Sequence, residues 1–188
     1  MYHPPGIAEE DIISQCKKGN LKGQEMLYKH FYGYAMGISL RYCLNREDAL
    51  EVVNDGFIKL FNTIKVYDSS RPFKAWMRVI MVNTAIDRRR KELKFQLSTE
   101  LDNAMIISTS ASVVNKLNAE DIIMLMKQLP AVQSAVFNLH EIDGYSHDEI
   151  ANLLFIPASS SRVYLVRAKE KLRNLLKDEA QNYGRSTG

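Results

Sequence analysis

The segment YSHDEIANLLFIPASSSRVYLVRAKEKL, Tyr145 to Leu172, decides how this chain is read. Ser146 and Glu149 stand three apart, the spacing of a capping box. There a hydroxyl and a carboxylate satisfy the free backbone N–H groups at a helix start. Ile150, Ala151 and Leu154 lay an apolar stripe on that helix. Pro157 closes the connection, and Ser159 and Ser160 are expected to cap a second helix. In the second helix Leu165, Ala168, Leu172 and Leu176 recur at helical spacing and are expected inside. Arg162, Val166, Arg167, Lys169 and Arg173 fall largely on the other faces. From Ala158 to Lys177 there are six basic residues and one acid, Glu170. An ordinary solvated face mixes signs to gain i,i+4 pairs, so a face of one sign points to phosphate. A short helix, a tight turn and a cationic second helix are how a helix-turn-helix enters a major groove.

Working outward, strand signals are nearly absent and the expected fold class is all-α. Helical spacing predicts Glu9 to Lys18, ended by Gly19-Asn20, and then Leu21 to Cys43, with Leu27, Phe31, Tyr34, Ala35, Ile38 and Tyr42 inward. Asn45 is placed to cap a third helix that runs to about Thr63, with Asp48 in its first turn. A loop spans Ile64 to Arg71. Pro72 suits the first position of a fourth helix, expected to end near Glu92. Residues 93–117 are rich in Ser, Thr, Asn and Leu without a clear period. So long a structureless stretch fits a linker between two domains better than a loop inside one. Asn118 is placed to cap a helix through about Gln128, Leu129-Pro130 breaks it, and another helix runs to about Glu141 before the helix-turn-helix. The domains read as 1–94, a linker 95–117, 118–178 and a tail 179–188.

With 188 residues, 46% of them hydrophobic, the chain can bury two small cores. The net charge of +3 makes it no polycation, but residues 1–95 carry 16 basic and 11 acidic side chains. Local patches matter more than the sum. Two cysteines, Cys16 and Cys43, read as core thiols, and the four histidines show no ligand spacing with them. No nucleophile, metal or nucleotide constellation supports an enzyme, so no catalytic residue, metal or cofactor is expected. No signal peptide or membrane-spanning run is visible, and the expected location is cytoplasmic.

Two more segments carry chemistry. RPFKAWMRVIMVNTAIDRRRKELK interleaves Arg71, Lys74, Arg78 and the run Arg88 to Lys91 with Tyr67, Phe73 and Trp76. Cations suit phosphates and π faces suit unstacked bases. The alternative is that Phe73, Trp76, Ile80 and Thr84 are the core stripe, and Trp76 is assigned to it. The third helix is opposite in character. Glu47, Asp48, Glu51 and Asp55 form an acidic row, while Ala49, Val53, Phe57 and Leu60 lie inward. An acidic face repels DNA and suits a basic protein partner.

Three stretches in this order resemble a sigma factor of the extracytoplasmic-function type, the group of the sigma-70 family that keeps only regions 2 and 4. REDALEVVNDGFIKLF (Arg46–Phe61) is similar to the polymerase-binding helix of region 2. FKAWMRVIMVNTAIDRRRK (Phe73–Lys91) is similar to the helix that melts and reads the −10 element. LPAVQSAVFNLHEIDGYSHDEIANLLFIPASSSRVYLVRAKEKLR (Leu129–Arg173) is similar to region 4. The resemblance implies a transcription initiation factor that binds core RNA polymerase and promoter DNA. Asp48, Glu51, Val52 and Asp55 would dock on the clamp coiled coil of the β′ subunit, and region 4 would sit on the β flap. The loop Val66 to Arg71, with Tyr67, Ser69 and Arg71, would hold a flipped base, with Asn83 beneath it. Lys74, Arg78, Arg88 and Arg89 would complete the −10 contacts. Arg162, Val163, Val166, Arg167 and Lys169 would face the −35 element, with Ser159 and Ser160 on its phosphates. An anti-sigma protein is an expected partner, and membrane insertion is not expected. The alternatives are a sigma-like decoy for an anti-sigma protein and a plain helix-turn-helix regulator. Phe155 stands where the family often has Gly. A bulky residue is strained at positive φ, so the expectation is a different turn. Ser161 puts a hydroxyl at an inward position.

Overall fold

The computed structural model describes residues 8–99 and 119–186, with side chains described over 8–90 and 123–177. Among the described residues every regular element is helical. The chain divides into two compact units between Arg88 and Arg89.

The first unit holds α1 (Glu9–Lys17), α2 (Leu21–Tyr42), α3 (Arg46–Thr63), a 3-10 turn (Ile64–Val66) and the start of α4 (Phe73–Thr99). Gly19, at φ 76°, reverses the chain after α1. Asn20 then caps α2 by accepting from the backbone N–H groups of Lys22 and Gly23. Asn45 caps α3 through Asp48 N, 2.7 Å away. Leu27, Phe31, Ala35, Ile38, Tyr42, Ala49, Val53, Phe57 and Leu60 are all buried. Each leucine, isoleucine, valine and phenylalanine among them contributes roughly 1.5–3 kcal/mol of burial. Tyr34 is only half-buried. Cys16 and Cys43 are buried free thiols, and burial pushes Cys16 up to about 11.

The stripe expected on α4 is one position out of phase. The buried side chains are Phe73, Met77, Met81, Val82, Ala85 and Ile86, with Thr84, while Trp76 and Ile80 are half-exposed. Two long methionines fill the space that an aromatic residue was expected to fill. One of them, Met81, lies against Gly56 of α3, so that a Cβ there would overlap its sulfur. Pro72 falls one position before α4 and accepts from Ala75 N and Trp76 N. The helix continues past Glu92, where it was expected to end, to Thr99. The remainder of the expected linker and the Asn118 cap lie outside the described residues.

The second unit holds α5 (Ala119–Lys127), α6 (Ala131–Phe137) widening into a π turn (Asn138–Ile142), α7 (His147–Leu154) and α8 (Ala158–Ser186). Its core joins Leu125, Met126 and Leu129 to Val132, Ala135, Val136 and Leu139. Ile150, Leu154, Ile156, Leu165 and Ala168 close it from α7 and α8. Leu172 is half-buried and Leu176 is 40% exposed, so the inward stripe ends earlier than the spacing implied. The expected tail after Asp178 continues as helix to Ser186.

Candidate nucleic-acid interface

The helix-turn-helix is built by local rules. Ser146 Oγ accepts from Glu149 N at 3.3 Å, and Ser146 N donates to Glu149 Oε2 at 2.8 Å. Ser146 Oγ also donates to Glu149 Oε2 at 2.8 Å, and the bonds this carboxylate accepts, from the Ser146 backbone first and its hydroxyl second, hold it below the usual carboxylate range. Phe155 ends α7 in the left-handed conformation, φ 56° and ψ 45°. The turn is therefore kept and the strain is carried, contrary to the expectation that a bulky residue would change it. The ring is 66% exposed. Ser159 and Ser160 lie in the first turn of α8 rather than at its cap. That position is Pro157, whose carbonyl accepts from Ser161 N at 3.1 Å. The inward hydroxyl of Ser161 is fully buried and meets His147 Nδ1 at 2.9 Å, which ties α8 to the start of α7. Burial, then His140 and Arg162, lower the His147 pKa.

Burial of Ser161, Leu165 and Ala168 fixes which face of α8 turns outward. Ser159, Arg162, Val163, Val166, Arg167 and Lys169 are exposed, and Ser160 is half-exposed. Every side chain assigned to the −35 contact is thus on the accessible side. Lys169 also pairs with Glu141 at 2.8 Å.

The −10 set is not gathered in one place. The loop Val66 to Arg71 is held by its own bonds and by α1. Lys17 Nζ donates to Tyr67 O at 2.7 Å and to Ser69 Oγ at 2.9 Å. Asp68 accepts from Ser70 N and Ser70 Oγ, which lowers its pKa. Tyr67 is buried, its ring against Phe73 and Trp76 at 5.2 and 5.0 Å between centroids, and its hydroxyl donates to Arg71 O. It braces the loop from within. Lys17 is a structural member of this loop that the sequence reading missed, since nothing local links α1 to residues 67–69.

Asn83 stands ten residues after Phe73, about 15 Å further along the α4 axis at 1.5 Å per residue. At 100° per residue it shares a stripe with Trp76, while Lys74, Arg78 and Arg89 point to other sides of the helix. Asn83 Oδ1 is enclosed without a protein hydrogen-bond partner. Arg78 Nε donates to Tyr34 Oη at 3.3 Å, and Tyr34 Oη donates to Lys74 O. Arg88 is engaged on the other side. Its Nη2 reaches Asp48 Oδ1 at 3.2 Å and Glu51 Oε2 at 2.5 Å.

The acidic row on α3 is a surface. Glu47, Glu51 and Asp55 are exposed and Asp48 is half-exposed, whereas Val52 is fully buried and packs the core. Val52 is thereby removed from the polymerase-contacting set. Ile58, on the same face and 58% exposed, adds an apolar group to that row that the charge pattern alone did not pick out. Among the described residues no group of histidine, cysteine and carboxylate side chains could hold a metal ion, and no helix is long and apolar enough to cross a membrane.

Comparison with known proteins follows the same division. The family model for sigma-70 region 2 matches residues 27–94, and the model for sigma-70 region 4 matches residues 119–172. The chain is 23% identical over 180 residues to the ECF RNA polymerase sigma-E factor of Haemophilus influenzae, covering 89% of this chain and 95% of that one. It is 24% identical over 178 residues to the ECF RNA polymerase sigma factor SigW of Bacillus subtilis, covering 88% and 95%. In fold it is similar to the sigma factor RpoE of Bartonella quintana, solved in complex with the anti-sigma factor NepR. There the TM-score is 0.52 at 17% identity, over 84% of this chain and 98% of that one.

Proposed function

We propose, for a chain that belongs to the sigma-70 family as an extracytoplasmic-function sigma factor, the following division of labour. As a member of a family of transcription initiation factors, it works with RNA polymerase and promoter DNA and performs no covalent step of its own. The outward face of α8 enters the major groove of the −35 element. Arg162 and Arg167 contact bases or phosphates, and Ser159 and Ser160 approach phosphates near the helix start. The row Glu47, Asp48, Glu51 and Asp55, with Ile58, docks on the β′ clamp coiled coil, and the second unit sits on the β flap. The loop Val66 to Arg71 takes a base extruded from the −10 element. Asn83, well separated along α4, makes a second contact further along the freed strand. An anti-sigma protein that covers the α3 face would hold the factor inactive. The domains are those of the sequence reading, with the helical ends of α4 and α8 lengthened.

The observation that carries this reading is the outward α8 face, where exposed cations flank the turn while Ser161, Leu165 and Ala168 anchor the helix below. Run-off transcription with core polymerase from a −35-dependent promoter tests it. Arg162→Ala and Arg167→Ala are expected each to weaken promoter binding by about 1–3 kcal/mol if the side chain reads a base. Affinity for core should be unchanged. Normal transcription by both variants would remove the −35 assignment.

A further inference from the structure

Two valines stand exposed on the outward face of α8. Val163 is 48% exposed and Val166 is 64% exposed. Folding does not explain them: each is a weak helix former, and a solvated helix face gains nothing from a branched apolar side chain. Taking α8 at 100° per residue, Ser159, Val163 and Val166 fall within about 60° of one another. Exposed arginines border this stripe, Arg162 on one side and Arg167 on the other. A protein partner with an apolar ridge would have to leave those cations facing apolar surface. A polyanion accommodates both: the arginines meet its phosphate walls and the valines meet what lies between them. On the base edges of a major groove one group is apolar, the C5-methyl of thymine.

We infer that Val163 and Val166 are specificity determinants of the −35 contact, each packing on a thymine methyl, so that the preferred element carries thymines at two positions one or two base steps apart. This rests on the α8 face being the −35 reader. The spacing follows from the helix. Residues three apart are displaced by about 4.5 Å along the axis, and successive base pairs by about 3.4 Å. A helix inclined in the groove therefore sets the two valines over neighbouring or next-neighbouring steps. The stiffness of valine about χ1 makes the contact selective for position, because the two methyls cannot swing to follow a displaced partner. The stripe has an end as well. Glu170 is exposed, on the same side and about 6 Å beyond Val166. Its carboxylate is repelled by phosphate, so the read stretch stops short of it.

The experiment uses the full chain with core RNA polymerase and a duplex library randomised across the −35 region. The bound pool is sequenced, and the preferred duplex is remade with deoxyuridine in place of each thymine in turn, which removes the methyl and keeps the hydrogen bonds. The expected result is a pair of thymines one or two steps apart, each losing about three- to fivefold in binding on demethylation. Val163→Ala should abolish the loss at one of them and Val166→Ala at the other. Both positions are exposed, so the variants keep the fold. A preferred site without paired thymines, or a demethylation loss unchanged in both variants, overturns the inference while leaving the −35 assignment in place if selection still depends on Arg162 and Arg167. Weaker core binding by the alanine variants with unaltered site preference makes the stripe a protein contact and also overturns it. No selection of any sequence removes the −35 assignment and this inference together.

Discussion

Phe155 provides a direct measure of what the helix-turn-helix geometry costs. It is the single non-glycine residue with positive φ among the described residues, at φ 56°. A Cβ in the left-handed region costs roughly 1–2 kcal/mol. Replacing Phe155 by glycine removes that strain and also removes the ring, so the bare substitution mixes two effects. Comparing Phe155→Gly with Phe155→Ala separates them, because both lose the ring and only alanine keeps the Cβ. Glycine gives back about 0.4–1 kcal/mol through the larger entropy of its unfolded chain. The net expectation is that the glycine variant is the more stable of the two by about 0.5–1 kcal/mol. For a unit of this size that is a separation of roughly 3–6 °C in melting temperature.

The assay is thermal unfolding of the full chain, with amide hydrogen exchange in α7 and α8 to read the second unit separately from the first. Asn152, exposed inside α7, provides the internal control. There alanine should exceed glycine by about 1 kcal/mol, the ordinary helix preference. An alanine variant at 155 as stable as the glycine variant, with the normal order at 152, would show that the turn is not in the left-handed conformation and that the argument from φ is wrong.

Two other outcomes follow from packing and charge. Gly23→Ala should destabilise the first unit by about 1–3 kcal/mol, because a Cβ there meets Gln15 Cβ at 2.8 Å and Cys16 N at 3.0 Å, neither of which can swing away. Gly33→Ala and Gly37→Ala, in the same helix with open space around the added carbon, should stabilise it by roughly 0.5–1 kcal/mol, and urea unfolding would reveal the contrast. The folded-state pKa of His147 lies below its usual 6.5, through burial first and then His140 and Arg162, with Asp148 opposing. The unfolded chain therefore takes up the proton first. The stability contribution is complete above about pH 6.5 and declines as pH falls through the folded value. Urea unfolding at stepped pH, followed in the second unit, should show that slope, and His147→Gln should flatten it.

What could be read from the sequence was whatever short-range chemistry fixes. Asn20, Asn45 and the Ser146–Glu149 box each act within three residues, and the helix starts they imply are present. The inward residues of α2 and α3 followed from spacing because one face of each helix is apolar and the other is not. On α4 the same reasoning slipped. Aromatic, methionine and branched residues surround most of that helix, and which of them turn inward depends on the shape of the neighbouring α3. Gly56 leaves room for Met81, and this decides the phase. The strain at Phe155 was foreseeable as a cost, but the outcome was not. Whether the turn changes or the strain is borne is decided by packing that no single residue reveals: Ile150, Leu154, Ile156 and Leu165 are all buried on the two sides of the turn as it stands.

The site was legible as charge and illegible as partnership. The acidic row and the arginine run were both visible in the sequence, yet nothing local reveals that Arg88 lies within reach of Asp48 and Glu51, 40 and 37 positions earlier. The pairing matters less to stability than to assignment. Arg88 is 34% exposed and Glu51 60% exposed, and exposed pairs of that kind contribute about 0–1 kcal/mol. So small an energy does not bind Arg88 to α3 against a competing phosphate, nor the two carboxylates to Arg88 against a competing cation. The guanidinium is common to the face proposed for polymerase and the helix proposed for the −10 strand. A cationic partner on Asp48 and Glu51 releases it, and a phosphate on Arg88 exposes the two carboxylates. The free chain thus keeps both surfaces partly neutralised at little energetic cost, without committing Arg88 to either.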